Sequence, residues 1–301
     1  MSSDATVLRE AAPAKINLFL HIVGRRPDGM HLIDSLVVFA ELGDVVTVRP
    51  GTDISLTRSG SMAGDLPPIE DDLVFRAARL LAETAQVSAG ATINVEKNLP
   101  VASGLGGGSA DAAATIRALA RLWRIDMPSD RLASLAQRLG ADVAACLESR
   151  PLRISGIGEQ LSPPGTLAPL HAVLVNPRVA VSTAEVFAAF ADDPQMPDPT
   201  TDGTEPWSGE PRRFVEQLAA RRNDLTAAAL TLCPAIGDVL ARLGAQPECL
   251  LQRMCGSGAT CFGLFGTSSE AQAAAETLRR ENADWWVAAT RLNTGLNTGG
   301  A

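Results

Sequence analysis

Apolar and polar residues alternate along two segments in the first third of the chain. In the stretch PAKINLFLHIV, aliphatic residues at 16, 18, 20 and 22 alternate with Lys15, Asn17, Phe19 and His21. A second alternation runs over residues 91–97. A period of two is that of a half-buried β-strand, so both segments are predicted to be strands, with Lys15 and Asn17 on one face. A solvated edge strand with an isolated lysine is the alternative for the first segment.

A period close to four residues marks the helices. Apolar residues recur at helical spacing over 73–85, 109–123, 129–139, 214–222 and 271–282. Ser109 or Asp111 is expected to cap the helix at 109–123 by accepting a backbone N–H. Residues 192–211 are rich in Pro, Asp, Gly and Thr and have no apolar period, so they are predicted to form a long loop or a disordered insertion. The tail at 293–301 is expected to be mobile.

A glycine-rich loop separates the second strand from the helix at 109–123. The stretch LPVASGLGGGSADAA has glycine at 104, 106, 107 and 108 and then enters alanine-rich sequence. Glycine accepts positive φ and lets a ligand approach without a Cβ, while the following helix offers unpaired N–H groups and the positive end of its dipole. The order of strand, glycine loop and helix therefore favours an anion site suited to phosphate.

Neither of two common phosphate loops fits this stretch. A P-loop requires Lys followed by Ser or Thr after its last glycine, but Gly108 is followed by Ser109 and Ala110. The dinucleotide fingerprint beginning at Gly104 requires glycine where Ser109 stands. Tight packing of strand against helix is the alternative role for these glycines, and the loop alone does not name a ligand.

Two other places in the sequence carry candidate chemistry. The turn Pro27-Asp28-Gly29 combines the fixed φ of proline with the freedom of glycine, and it is predicted to return Met30 and His31 beside the first strand. Asp142 is an isolated acid that follows a glycine at the end of a helical stretch. Its alternative role is an ordinary helix N-cap.

Composition excludes several classes of function. The chain of 301 residues is long enough for two domains, and its net charge of −8 argues against a nucleic-acid partner, which calls for a basic surface. The N-terminus lacks the pattern of a signal peptide and no apolar run is long enough to span a bilayer, so we expect a cytoplasmic protein without a membrane partner. Five Cys without a C-x-x-C pair and three scattered His favour neither a disulfide framework nor a zinc site. Tyr is absent, so a phenolic acid or base is excluded.

Five motifs, in this order and at these separations, resemble the GHMP kinase family. They are PAKINL, PDGMH, LPVASGLGGGSADAA, LGADV and GSGATCFGLF, and the resemblance runs from about residue 13 to about residue 293. It implies a two-domain α+β architecture, with an ATP-binding domain at 1–162 like the second domain of ribosomal protein S5 and a ferredoxin-like C-terminal domain at 163–301. It also implies transfer of the γ-phosphoryl group of ATP to a hydroxyl of a cytidine diphosphate alcohol in non-mevalonate isoprenoid biosynthesis.

The same resemblance implies roles for individual residues. Asp142 would be the general base on the acceptor hydroxyl, and Lys15 would stabilise the developing alkoxide and orient the carboxylate. Lys97 and Asp72 would lie near the adenine or ribose. The residues that would surround the ATP phosphates are Pro100, Val101, Ala102, Ser103, Gly104, Leu105, Gly106, Gly107, Gly108, Ser109 and Ala110. The residues that would hold the acceptor are Asn17, Met30, His31, Thr183, Phe187, Gly256, Ser257 and Gly258.

Three positions depart from the family pattern. Met30 stands where the family usually has Tyr, Ala144 where it has Pro after Gly-Ala-Asp-Val, and Asp72 where it has Asn. The first departure concerns the residue that would hold the cytosine ring, whereas the other two look tolerable.

The expected ligands are small molecules, and the expected assembly is a monomer or weak homodimer. Mg²⁺ is expected to arrive mainly with the triphosphate, because no carboxylate pair dedicated to a metal is legible. Two other functions remain as alternatives. Another GHMP kinase, of the homoserine or mevalonate type, is disfavoured by Asn17 and by the turn with Met30 and His31. A non-catalytic ligand sensor on the same scaffold is disfavoured by the presence of both Lys15 and Asp142.

Overall fold

The computed structural model describes residues 6–64, 66–191 and 206–293. Most of the loop predicted at 192–211, and the tail after residue 293, lie outside these residues. The strands are β1 (Leu8–Arg25), β2 (His31–Gly51), β3 (Ile54–Ser59), β4 (Gly90–Glu96), β5 (Leu152–Gly156), β6 (Gln160–Ser162), β7 (Leu170–Asn176), β8 (Leu251–Met254), β9 (Cys261–Phe265) and β10 (Trp286–Asn293). The helices are α1 (Leu73–Ala85), α2 (Gly107–Leu122), α3 (Ser129–Leu139), α4 (Ala141–Glu148), α5 (Thr183–Ala191), α6 (Pro211–Ala219), α7 (Thr226–Leu232), α8 (Ala235–Gly244) and α9 (Ser268–Glu281).

Two compact units interleave along the sequence. The first unit consists of residues up to Ala14, Gly43–Val101 and Gly106–Ser149. The second unit consists of Lys15–Leu42, Ala102–Leu105 and the chain from Arg150 onwards. The long strands β1 and β2 each contribute residues to both units, so a single cut in the chain does not separate them. The domain boundary expected between residues 162 and 163 stays a prediction.

In the first unit, β4 lies between β3 and the last part of β2. It runs parallel to β3, with Ile93 opposite Leu56, and antiparallel to β2, with Val95 opposite Val46; all four side chains are buried. Helix α1 packs on α2, and α2 packs on α4. The buried face of α1 repeats every three or four residues, which is the pattern that predicts this helix with its observed bounds.

In the second unit, the first part of β2 pairs antiparallel with β5, and β5 pairs with β6. The strands then follow in the antiparallel order β2, β10, β7, β9 and β8. Every residue of β9 is buried. Helices α8 and α9 pack against these strands and bury Val239, Leu243 and Leu278 in a continuous apolar core.

Helix α2 begins two residues before Ser109, and neither Ser109 nor Asp111 caps it. The N-cap is Gly106, with φ of +63° and no side-chain hydrogen bond to the first turn. A capping side chain must precede the helix in non-helical backbone. Because the glycine loop itself continues into the helix, Ser109 and Asp111 already lie inside its first turns, and Asp111 is buried.

Two later helices also begin earlier than their apolar periods indicate. Helix α6 starts at Pro211, where the Glu210 side chain accepts from the backbone N–H groups of Arg212 and Arg213. Helix α9 starts after Thr267, which forms a capping box with Glu270. Polar capping residues and proline determine where these helices begin, and the spacing of apolar residues does not reveal such positions.

Strand β1 is buried on both faces from Lys15 to Ile22. The prediction of a strand is therefore confirmed, whereas the alternative of a solvated edge with an isolated lysine is wrong. The turn after β1 is also confirmed: Gly29 has φ of +89°, its N–H donates to the carbonyl of Arg26, and the Met30 N–H donates to the Asp28 carboxylate. The turn leads into β2, which pairs with β1.

Candidate active site

The first turn of α2 has no side-chain cap. The N–H groups of a first helical turn have no intrahelical partner, and here neither a capping side chain nor an acidic residue occupies that turn. A Cβ on Gly107 would lie 3.7 Å from its nearest protein atoms, so glycine at this position is not required by packing. Exposed N–H groups at the positive end of the helix dipole suit a phosphate.

A buried ion triplet supports this turn from within the first unit. The Lys97 ammonium binds Asp44 Oδ2 and, at 2.5 Å, Asp111 Oδ2 in α2. The other oxygen of Asp44 accepts from the backbone N–H groups of Asn98, at 2.5 Å, and Leu99, at 2.8 Å. Lys97, Asp44 and Asp111 are all at least 95% buried. The triplet thus joins the second half of β2, the residue that follows β4 and the second turn of α2.

The charges of the triplet depend on one another. Burial by itself lowers the pKa of the Lys97 ammonium, but the carboxylates of Asp111 and Asp44 outweigh burial and hold this pKa above its usual value. Burial raises the pKa of the Asp111 carboxyl, since Lys97 offsets it only in part and Asp44 adds repulsion. The Lys97 ammonium therefore binds two carboxylates at once. That Lys97 lies near the adenine or ribose of ATP stays a prediction.

Asp72 is also engaged within the first unit. One carboxylate oxygen caps α1 by accepting from the Val74 N–H at 2.9 Å, and the other accepts from Arg58 at 3.1 Å. The acid that replaces the family's Asn therefore keeps a helix-capping role, because either side chain offers an oxygen to the first turn.

The polar face of β1 places Lys15 and Asn17 in the interior of the second unit. They are 5% and 3% exposed. The Lys15 ammonium lies 3.4 Å from Asn17 Oδ1, and Asn17 Nδ2 donates to Ser35 Oγ at 2.8 Å. Ser35 in turn donates to the Phe19 carbonyl at 2.5 Å. Hydrogen bonds to β1 and β2 thus fix the amide that the resemblance assigns to the acceptor.

The first two glycines of the motif GSGATCFGLF pack against the middle of the glycine-rich loop that precedes α2. We call residues 254–258 the third glycine turn. Gly104 has φ of +77°, and a Cβ there would lie 2.6 Å from the Cys255 carbonyl oxygen. A Cβ on Gly256 would lie 2.9 Å from the Gly104 carbonyl oxygen and 3.5 Å from Asn17 Oδ1. Glycine is required at 104 and 256 because two backbone segments meet here at closest approach.

Four of the expected acceptor residues lie in two contacting pairs in the second unit. The His31 ring lies 5.3 Å from the Phe187 ring, and Thr183 Oγ1 lies 2.8 Å from Ser257 Oγ. Burial lowers the pKa of His31, and the positive charge of the nearby Arg25 lowers it further. Its Nε2 is buried without a hydrogen-bond partner among the described residues. A neutral imidazole with an unused ring nitrogen is suited to hydrogen bonding with a nucleobase edge.

Met30 and Asp142 are both exposed expected site residues. Met30 is 49% exposed at the end of the turn after β1. Asp142 is the second residue of α4 and is exposed, and the N-cap of α4 is Gly140, without a side-chain hydrogen bond. The interpretation of Asp142 as a helix N-cap is therefore wrong, although an acid in the first turn of α4 still interacts favourably with the helix dipole.

Sequence reasoning missed two supporting groups. Asp44 gave no local signal, because its partner Lys97 is 53 residues away. Asn223, in the stretch RRNDL, donates from its amide to the carbonyls of Met254 and Gly256 in the third glycine turn. An Asn-Asp pair just before a helix is a recognisable capping signal, but that signal would not have indicated contacts to a distant turn.

Two domain models of one known protein family match this chain. The description "GHMP kinases N terminal domain" matches residues 72–150, and "GHMP kinases C terminal" matches residues 210–284. The chain belongs to the GHMP kinase family. It has the two-domain GHMP kinase fold with mixed helices and strands, as the resemblance of its motifs implied.

Relatives within the family are similar over nearly the whole chain. A protein of Paramagnetospirillum magneticum is 48% identical over 281 residues, covering 93% of this chain and 97% of the relative. One of Cereibacter sphaeroides is 50% identical over 284 residues, covering 93% and 98%. Both are named 4-diphosphocytidyl-2-C-methyl-D-erythritol kinase.

Solved structures of GHMP kinases share the fold of this chain. A crystal structure of 4-(cytidine 5'-diphospho)-2C-methyl-D-erythritol kinase matches 96% of this chain and 100% of its own, with a TM-score of 0.78 and 33% identity. Homoserine kinase from Cytophaga hutchinsonii matches with a TM-score of 0.74 at 19% identity, which shows a common fold. Within the described residues, no helix could cross a bilayer, and no three His, Cys, Asp or Glu side chains are grouped as metal ligands.

Proposed function

We propose that this chain transfers the γ-phosphoryl group of ATP to the 2-hydroxyl of 4-diphosphocytidyl-2-C-methyl-D-erythritol, in the non-mevalonate route to isoprenoids. The observation that carries the proposal is the 48–50% identity, over 93% of this chain, to relatives named as kinases of that substrate. The buried pair of Lys15 and Asn17, and the contact of His31 with Phe187, add support from the second unit.

In the proposed reaction Asp142 and Lys15 are the catalytic residues. Asp142 takes the proton of the acceptor hydroxyl, whose oxygen then forms a bond to the γ-phosphorus as the bond to the leaving ADP breaks. The Lys15 ammonium stabilises the negative charge that develops on the attacking oxygen. The burial of Lys15 keeps this interaction strong, since water screens it less.

ATP is proposed to bind along Pro100–Ala110, with its phosphates at the first turn of α2. Mg²⁺ neutralises the phosphate oxygens in phosphoryl transfer. Asp44 and Asp111 are both bound to Lys97, and the described parts of the chain contain no group of three or more His, Cys, Asp or Glu that could hold a metal ion. We propose that the ion arrives mainly with the triphosphate.

A methyl group on Gly107 tests the phosphate site. Gly107→Ala is expected to raise KM for ATP by about tenfold or more, because it adds a side chain to the turn that is proposed to receive the phosphates. The nearest protein atoms to the Cβ, which include Lys97 Nζ and Asp44 Oδ2 of the buried triplet, would lie at 3.7 Å, an ordinary van der Waals distance. The unfolding midpoint should stay level or rise, since alanine is the better helix former. Steady-state kinetics with each substrate varied, together with thermal unfolding, measure both effects.

Gly237→Ala in α8 is the matched control, because its Cβ would also fit, at 3.4 Å from Leu230. It should leave both KM values unchanged. If Gly107→Ala had the native KM for ATP, the proposal that the phosphates bind at this turn would be wrong.

The cytidine end of the acceptor is proposed to bind in the second unit, between Met30 and Phe187. His31 hydrogen-bonds the base edge there, and Asn17, Thr183 and the third glycine turn hold the rest of the acceptor. The unpartnered Nε2 of His31 supports this role. A site that pairs with one base through such bonds rejects a base that leaves them unpaired.

Restoring the family's aromatic residue should tighten acceptor binding. A base stacked on an aromatic ring is worth about 1–3 kcal/mol, whereas a thioether against a ring contributes about 0.3–1.5 kcal/mol. Met30→Tyr is therefore expected to lower KM for the cytidine substrate several-fold, with kcat and KM for ATP little changed. The half-exposed position leaves room for the ring.

Leu232→Tyr, at an exposed aliphatic position ending α7, is the control for adding a surface tyrosine and should change nothing. An unchanged or higher acceptor KM in Met30→Tyr would contradict the proposed cytosine site.

A coupled assay tests the function itself. The purified chain is supplied with ATP and 4-diphosphocytidyl-2-C-methyl-D-erythritol, and in parallel with mevalonate or homoserine. ADP release is expected with the first acceptor alone. Turnover of either control in preference to it would reassign the substrate, and no turnover of any acceptor would favour the ligand-sensor alternative.

A further inference from the structure

A short segment after α6 lies along β1 in the second unit. The Leu20 N–H donates to the Arg222 carbonyl at 3.0 Å, and the Asp224 N–H donates to the Leu20 carbonyl at 2.9 Å. The Asp224 carboxylate also accepts from the Ile22 N–H at 2.7 Å. We call Arg222–Asp224 the Asn223 segment. These three hydrogen bonds fix it to the strand that carries Lys15 and Asn17.

The Asn223 side chain connects this segment to the third glycine turn. Its Nδ2 donates to the Met254 carbonyl at 2.9 Å and the Gly256 carbonyl at 2.7 Å, and its Oδ1 accepts from the Leu225 N–H at 3.1 Å. The residue is 6% exposed. Both N–H donors of the amide are therefore used, and both bind the same turn.

The turn that receives these bonds carries proposed acceptor contacts. Ser257 lies 2.8 Å from Thr183, and Gly256 approaches both Asn17 and the Gly104 carbonyl. Gly256 and Gly258 have φ of +54° and +86°, so the turn relies on specific partners to keep its shape. Without the amide of Asn223, two buried carbonyls would lose their donors.

We propose that Asn223 is a positioning residue for the acceptor, which it serves by holding the third glycine turn against β1. The role rests on the proposed function, since it concerns how the same acceptor is bound. Asn223 touches neither substrate in this proposal; it sets where Gly256 and Ser257 stand relative to Asn17.

Asn223→Asp is the sharpest test because it preserves shape and the acceptor for Leu225 while removing both donors. KM for the acceptor is expected to rise about tenfold and KM for ATP to rise clearly less, because the turn carries proposed acceptor contacts directly but meets the proposed ATP-binding stretch only at Gly104. Asn223→Ser, which keeps one donor and adds no charge, should fall between Asn223→Asp and the native chain.

Acidification supplies a second readout. When protonated, the carboxyl group that Asn223→Asp introduces has one O–H that can donate to a carbonyl, and burial beside two carbonyl oxygens favours that neutral form. Lowering the pH should therefore restore part of the acceptor affinity of Asn223→Asp relative to the native chain. The charged or titratable groups around Asn223 include its neighbours Arg221, Arg222 and Asp224, and also His21, Arg253 and Cys255, which contact the same segment or lie in the same turn. All of them are common to both proteins.

Asn282→Asp is the matched control. It removes an amide donor to a backbone carbonyl at the end of α9, in the same unit but away from the turn, and should leave both KM values unchanged. Unfolding midpoints are measured for every variant.

The outcomes separate the two proposals. A native chain that fails to phosphorylate the cytidine substrate refutes the proposed function. With an active native chain, the positioning role is overturned by an unchanged acceptor KM in folded Asn223→Asp, or by equal changes in both KM values. It is also overturned if neither Asn223→Asp nor Asn223→Ser folds, since Asn223 would then serve the fold alone.

Discussion

Asp142→Asn is expected to lower kcat by about a hundredfold or more, which is the size of effect expected when a general base is lost. The amide is nearly the same size as the carboxylate but cannot accept the proton of the acceptor hydroxyl. Because Asp142 is exposed and caps no helix, the fold and KM for ATP should stay close to those of the native chain. Single-turnover kinetics and thermal unfolding measure these effects.

Asp130→Asn provides the control for this variant. Asp130 is also an exposed acid in the first turn of a helix of the first unit, so both substitutions remove the same favourable interaction with a helix dipole. Turnover should be unaffected in Asp130→Asn. If Asp142→Asn turned over near the native rate, or if both variants lost activity alike, the general base would have to be sought elsewhere.

Lys97→Met should cost about 3–5 kcal/mol of unfolding free energy, as is usual when one partner of a buried ion pair is removed. The methionine fills the space of the lysine stem but leaves the carboxylates of Asp44 and Asp111 buried without their cation. Urea unfolding measures the loss. Arg242→Met, which breaks the half-exposed pair with Glu281, should cost less than about 1 kcal/mol.

The loss in Lys97→Met should depend on pH in a defined direction. Burial already raises the pKa of Asp111 in the native chain, and removal of the ammonium raises it further. An acid whose pKa is higher in the folded state loses stability as pH rises from its unfolded value, about 4, to its folded value. The deficit should therefore be larger at about pH 8 than at about pH 5.

A second substitution checks the cause of the deficit. Adding Asp111→Asn to Lys97→Met removes one of the two facing carboxylates and should recover part of the lost stability at the higher pH. A deficit that is independent of pH, or a double variant no more stable than Lys97→Met, would show that lost packing of the lysine stem is responsible instead.

Local patterns were enough to predict many elements of this protein. The apolar period over 73–85 gives α1 with its observed bounds, and that over 129–139 gives α3. Proline and glycine at 27 and 29 give the turn between β1 and β2. These features depend on residues a few positions apart, so the sequence displays them directly.

The first residues of several helices were harder to predict from the sequence than the helices themselves. Helix α2 begins inside the glycine loop, where neither Ser109 nor Asp111 acts as a cap. The sequence favours a polar cap because short polar side chains ordinarily satisfy the first-turn N–H groups. An uncapped first turn departs from that rule, and such departures concentrate at functional sites.

By itself, the sequence determined the family, through five motifs in fixed order, and with it the chemistry expected of Lys15 and Asp142. Only the tertiary structure decided that Lys97 binds Asp44 and Asp111, and that Asn223 supports a turn more than thirty residues away. Periodicity reports which face of an element is buried, but not which buried polar groups meet. Those partners are set by the packing of distant segments, since each buried donor or charge must find whichever partner the fold brings within reach.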